Sequence, residues 1–157
     1  MNAALSFFAF LLAVATVSSK KISYENCTST EEVGEITAID ITPCDPDLRA
    51  SSAACVLKKG GNETITITFT PNEVVTAAKL YAYVIFGFVP VPLPLPDSNA
   101  CEGHGLTCPL KSGVQVEFVY RIYISPDFPS DALKIKAEIK DQDGKSVICG
   151  IVSLKIA

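Results

Sequence analysis

FVPVPLPLPDSNACEGHGLTCPL (Phe88–Leu110) places proline on every second residue, at Pro90, Pro92, Pro94 and Pro96, with Val91, Leu93 and Leu95 between them. Proline holds φ at about −65° and carries no backbone donor. In an extended chain alternate residues point their N–H groups to the same edge. The four prolines therefore disable one edge for pairing, while Val89, Val91, Leu93 and Leu95 keep their donors on the other. Within sheets proline is confined to edges, strand starts and bulges. The segment reads as a stiff edge strand that gathers four apolar side chains on one face. A polyproline II linker, or a ligand for a proline-reading domain, is the competing reading. Readers of that kind are mostly intracellular, so the compartment decides.

The N-terminus speaks to the compartment. Residues 3–17, AALSFFAFLLAVATV, are apolar and uncharged, and small residues follow in VSS. This is the pattern of a secretory signal peptide, cut after Ser19. The run is short for a membrane span, which needs roughly 20 apolar residues. The expected organisation is a signal peptide over residues 1–19 and one domain over 20–157. A chain of roughly 140 residues buries close to ~70% of its unfolded surface, enough for a true core. The expected location is secreted or extracellular, with the lysosome as an alternative destination. The net charge of −4 and the lack of any polybasic patch argue against nucleic acid as a partner.

Six cysteines in an exported chain point to three disulfides. Six allow 15 pairings, so spacing must guide the choice. Cys101 and Cys108 enclose Gly103 and Gly105 and suit a small loop. Cys44 and Cys55 bracket the polar stretch DPDLRASSAA. Cys27 and Cys149 remain, and would tie the first strand to the last. No C-x-x-C pair exists and His104 is the single histidine, so neither a metal nor a cofactor is expected. Asn26-Cys27-Thr28 and Asn62-Glu63-Thr64 are glycosylation sequons. Asn62 follows a Gly-Gly turn, where a glycan is readily placed, whereas Asn26 abuts a cysteine.

The mature chain reads as strands. ETITITFTP places Ile65, Ile67 and Phe69 on one face and four threonines on the other. ALKIKAEIKD alternates Leu133, Ile135, Ala137 and Ile139 against Lys134, Lys136, Glu138 and Lys140. Period-two alternation with β-branched residues marks half-buried strands. In GEITAIDIT, Ile36 and Ile39 break parity, which predicts a bulge. DQDG (Asp141–Gly144) and KKGGNE (Lys58–Glu63) read as turns. With KISYEN, ACVLK, TAAKLYAYVIFGF, VQVEFVYRIYIS and SVICGIVSLKIA, seven or eight strands are expected, and no helix. Strands at this spacing predict a β-sandwich. The buried tryptophan of antibody-type domains is missing, since the chain has no Trp.

Catalytic patterns are lacking. There is no G-x-S-x-G, no phosphate loop and no nucleophile near His104, which is expected to face solvent in its loop. Asp45, Asp47, Asp141 and Asp143 fall in apparent turns, where Asp serves local hydrogen bonds. The expectation is a protein that is not an enzyme.

The cysteine order, VPVPLPLPDSNAC, the Cys-Pro-Leu after the fifth cysteine, and DFPSDALKIKAEIKDQDGKSVICGI together resemble the ML lipid-recognition family. Within it they are most similar to the Niemann–Pick type C-two secreted sterol carriers and the mite group-two allergens. The resemblance spans the mature chain. It implies an all-β, immunoglobulin-like sandwich of two antiparallel sheets with an apolar lipid pocket between them. It also implies first-to-sixth, second-to-third and fourth-to-fifth cysteine pairing, here Cys27–Cys149, Cys44–Cys55 and Cys101–Cys108. Apolar pocket-mouth residues of the family match Leu93, Ile124 and Phe128, and Val91 joins them from the proline-alternating row. The implied function is a carrier that holds a small hydrophobic lipid, a sterol or fatty acid. The implied protein is a monomer that meets a membrane transfer partner or receptor. The alternative is an innate-immune or adhesion module that senses a microbial lipid.

Overall fold

A computed structural model describes residues 20–28, 30–46 and 55–157. The signal-peptide reading of residues 1–19 and residues 47–54 of the Cys44–Cys55 loop, Asp47 among them, lie outside the described residues. Among those described, eleven strands follow in order: β1 (Lys20–Lys21), β2 (Tyr24–Asn26), β3 (Gly34–Thr42), β4 (Asp45–Pro46), β5 (Cys55–Leu57), β6 (Asn62–Pro71), β7 (Lys79–Phe86), β8 (Val89–Pro92), β9 (Val116–Tyr123), β10 (Ala132–Lys140) and β11 (Ser146–Ile156). The excess over the expected seven or eight comes from short edge pieces that carry no periodicity of their own.

The strands form two sheets. One has the order β1-β3-β6-β9; the other runs β4-β5-β11-β10-β7-β8, with β2 also on β11. Pairing between strands is antiparallel except for β5, which runs parallel to β11. The long β11 is flanked on one side by β10, and on the other by β2 at Gly150–Val152 and by β5 at Leu154–Ile156. Between the sheets lies one core, to which Ile41, Ile67, Phe69 and Phe118 contribute from the first sheet and Leu80, Ile139, Ile148 and Leu154 from the second.

The bulge anticipated in GEITAIDIT is present. Ile36 opposes Phe69 and Ala38 opposes Thr68, so Thr37 is the extra residue. The extra residue resets parity and lets Ile36, Ile39 and Ile41 all point inward, each at most 7% exposed. The DQDG segment closes β10 onto β11. Asp141 Oδ1 accepts from the N–H of Asp143 and of Lys145 at 2.9 Å, and Gly144 takes φ +76°.

Three disulfides join Cys27–Cys149, Cys44–Cys55 and Cys101–Cys108. Cys27–Cys149 spans 122 residues and fastens the N-terminal segment to β11. By the chain-entropy model a loop that long contributes about 5 kcal/mol.

The proline segment is an edge, and β8 is the last strand of its sheet. Val91 opposes Val84, Val89 opposes Phe86, and the Leu93 N–H donates to the Ala82 carbonyl at 2.8 Å. The donors of the apolar residues thus face β7. Pro90 and Pro92 present an outer edge that offers no N–H.

Candidate lipid-binding site

Across the second sheet three small residues lie side by side. Ala137 on β10 pairs with Ala82 on β7 and with Gly150 on β11. All three face inward, where their neighbours are Leu, Ile and Val. At Gly150 a Cβ would come within 3.0 Å of Ile36 Cδ1, so the opposing sheet approaches closely there. At the alanines the short side chains leave space. Ala82 and Ala137 stay partly accessible although they sit in the middle of a sheet.

That space is a cavity of about 140 Å³ between the sheets. Ala82, Ala137 and Gly150 form its floor. Phe118, Tyr120 and Ile122, successive inward residues of β9, belong to the opposite wall. Leu93 and Leu95 close the β8 side, and Ile124 and Phe128 the side of the loop that follows β9. Tyr120 alone among the lining residues carries a polar side-chain atom. Burial raises the ionisation of its hydroxyl above the usual tyrosine range, helped by the nearby Asp97 carboxylate and offset in part by a hydrogen bond with the Asp97 backbone. Among the described residues the lining holds no carboxylate, amine or imidazole. What it can do is exclude water from hydrocarbon.

Leu93, Ile124 and Phe128, singled out in the sequence, meet at this cavity. Phe128 is 37% exposed, whereas Ile124 is only 3% exposed. Val91 is not among the lining residues. It pairs with Val84 but stands 43% exposed on the last strand of the sheet. The small-residue row of Ala82, Ala137 and Gly150 escaped the sequence reading. The signal exists as a small residue at an inward position of three strands, but it becomes a row only once the register is known.

His104 corrects an expectation. It does not face solvent and is 8% exposed. Its Nδ1 lies 3.0 Å from the Val119 carbonyl oxygen, and its Nε2 3.0 Å from Asp97 Oδ2. The ring stacks on Tyr120 at 5.2 Å. It therefore pins Asp97, at the end of the proline segment, to the free edge of β9, where the Val119 N–H donates to the His104 carbonyl at 2.8 Å. The cavity wall formed by Leu93 and Leu95 is anchored through this contact.

A family model described as the ML domain matches residues 21–156. The chain belongs to the ML-domain family. Among curated relatives, this ML-domain chain is 28% identical over 149 residues to the Ecdysteroid-regulated 16 kDa protein of Manduca sexta, covering 95% of this chain and 98% of the relative. It is 28% identical over 144 residues to NPC intracellular cholesterol transporter 2 homolog a of Drosophila melanogaster, covering 92% and 93%. Among solved structures, a Niemann-Pick type C2 protein from Japanese carpenter ant superposes with a TM-score of 0.77 at 28% identity. The match covers 86% of this chain and 99% of that one. The immunoglobulin-like sandwich implied by the resemblance is thus the fold of the ML domain observed here.

Proposed function

We propose that this ML-domain protein is a secreted carrier that holds a sterol or a fatty acid between its two sheets without covalent chemistry. The observation that carries the reading is the cavity, which is walled by hydrocarbon on both sheets and has the exposed Phe128 in its lining. The family and the cholesterol-transporter relatives point the same way. Burial of apolar ligand surface at roughly 25 cal/mol per Å² supplies the driving force. Since the lining offers no partner for a charged or strongly hydrated group, such a group on the ligand stays at the opening beside Phe128 and the hydrocarbon enters first.

Size sets a condition on entry. An apolar cavity of about 150 Å³ holds one benzene ring, and a sterol is several times larger. A cavity of about 140 Å³ must widen to take it. Phe128 is the element placed to move, because it lies in the loop between β9 and β10. Secretion is supported by the apolar segment at residues 3–17 and by three disulfides, which persist in oxidising compartments. The exposed Asn62 at the start of β6 is the proposed glycan site, with the exposed Asn26 second. The test is a titration of delipidated protein with a fluorescent sterol and a fluorescent fatty acid. Saturable binding of one ligand per chain is expected. Absence of binding by both overturns the carrier.

A further inference from the structure

The outer face of the second sheet gathers positive charge in a chain whose net charge is −4. Leu80, Ala82 and Val84 of β7 line the cavity, so Tyr81 and Tyr83 between them point the other way. Lys79 and Lys140 pair directly across β7 and β10. Both ammonium groups stand over the Tyr81 ring, at 5.4 and 5.3 Å from its centroid, and Lys136 stands over the Tyr83 ring at 5.4 Å. Like charges directly opposite each other destabilise a sheet. Among the described residues none of these three lysines has a carboxylate partner, whereas Lys134 on the same strand is held by Glu25 at 2.8 Å. Glu138, between Lys136 and Lys140 in sequence, is 5% exposed and offers little surface to a ligand.

Polar groups continue from this face around the edge of β7. Lys79 and Ser98 line both a groove beside Tyr81 and Tyr83 and a depression completed by Asn99 and Asp141. Asp141 commits Oδ1 to the turn, while its Oδ2 is buried without a hydrogen-bond partner. Asn99 Oδ1 accepts from the Cys101 N–H at 3.1 Å, which leaves its amide nitrogen to donate. Flat rings, ammonium groups and partners for hydroxyls thus stand together on one surface.

We propose that this face binds an acidic sugar chain, one that carries sulfate or carboxylate groups. Lys79, Lys140 and Lys136 meet the acidic groups, and Tyr81 and Tyr83 stack on the apolar faces of the pyranose rings. Lys140 and Lys136 are four residues apart on β10, about 14 Å at about 3.4 Å per residue, so the site follows an extended polymer along the strand. Asp141 Oδ2 accepts from a ring hydroxyl, directly or through one water. This mixture favours a sugar over other anions. A simple anion has no use for the rings or for a carboxylate, and an anionic bilayer needs charge alone. The site lies on the opposite face of the sheet from the cavity, so it stands or falls independently of the carrier reading.

A fluorescent heparin tetrasaccharide is the probe, titrated at low salt with polarisation as the readout. Saturable binding is expected, weakening as salt rises, and uncharged dextran should not compete. Lys79→Ser/Lys140→Ser is expected to lose roughly tenfold in affinity, the scale of two partly exposed ion pairs. Its fold should persist, because the change removes a like-charge pair, and thermal melts check this. Tyr81→Leu keeps every charge and is still expected to bind several-fold more weakly, which a patch acting by charge alone would not show. Fluorescent-sterol binding should be the same in both variants, since neither Tyr81 nor the two lysines line the cavity. No binding of the tetrasaccharide by wild type, or equal binding by the double variant, would overturn the proposal. So would full displacement by inorganic sulfate at matched ionic strength, which marks a simple anion site. So would a Tyr81→Leu protein that binds like wild type while phosphatidylserine vesicles bind wild type and not the double variant, which marks a surface for anionic membranes.

Discussion

Filling the cavity should stabilise the empty protein and weaken its hold on lipid. Ala137 is the position for it, at the centre of β10 between Ala82 and Gly150. Ala137→Leu adds three carbons, worth up to about 2.4 kcal/mol at about 0.8 per methylene. At about 24 cal/mol per Å³, a cavity of about 140 Å³ sets a ceiling near about 3 kcal/mol. Overpacking strain of ~1–3 kcal/mol opposes this where the fit is poor. With space already present, the expected net gain is about 1–2 kcal/mol, a Tm increase of about 2–8 °C for a chain this long. Lipid must displace the new side chain, so each kcal/mol gained by the empty protein is lost on binding. A loss of about 2 kcal/mol is about thirtyfold in affinity. Thermal melts of delipidated protein, with the sterol titration alongside, measure both quantities. Ala132→Leu, at the exposed start of the same strand, is the control and should change neither. An Ala137→Leu protein that is more stable and still binds like wild type would refute the reasoning, because ligand and side chain cannot share the space.

Phe128→Asp at the opening should weaken sterol binding by about tenfold or more while the fold persists, since the charge can reach water; Lys136→Glu on the outer face should leave binding as it was. Ile124→Lys is expected to lower stability as well, because Ile124 is 3% exposed, and circular dichroism separates the two effects. Non-reducing peptide mapping should recover Cys27 linked to Cys149, and replacing the pair should cost ~2–5 kcal/mol in denaturant unfolding; a free thiol at either position would contradict the structure. Asn62→Gln should remove a glycan-sized mass from protein secreted by a eukaryotic cell, and an unchanged mass rules that site out.

The sequence revealed most where a local rule has one outcome. Alternation in ETITITFTP and ALKIKAEIKD, the parity break at Ile36 and Ile39, the DQDG turn and the donor-free edge at Pro90 and Pro92 all depend on neighbours within a few residues. They reappear in β6, β10, β3, the β10–β11 turn and β8. What stayed hidden depends on pairing between distant segments. Ala82, Ala137 and Gly150 become a cavity floor only through a register that aligns three strands. His104 is buried because β9 and Asp97 close over its loop, which no spacing within Cys101–Cys108 encodes. Val91 is identical in pattern to Leu93, yet it stands 43% exposed and outside the cavity lining. Phe86 and Phe88 look like core residues in a string of letters, yet both are exposed where β7 turns into β8.

The central claim is that hydrocarbon occupies the space between the sheets, and mass spectrometry of a solvent extract tests it most directly. The protein is purified from the medium of secreting cells without detergent, its concentration is fixed by amino-acid analysis, and the lipid is quantified against it. About one equivalent of a sterol or fatty acid per chain is expected, falling sharply in Ala137→Leu prepared the same way. An extract with no stoichiometric lipid, from wild-type protein that also fails to take up sterol when offered it, would contradict the account.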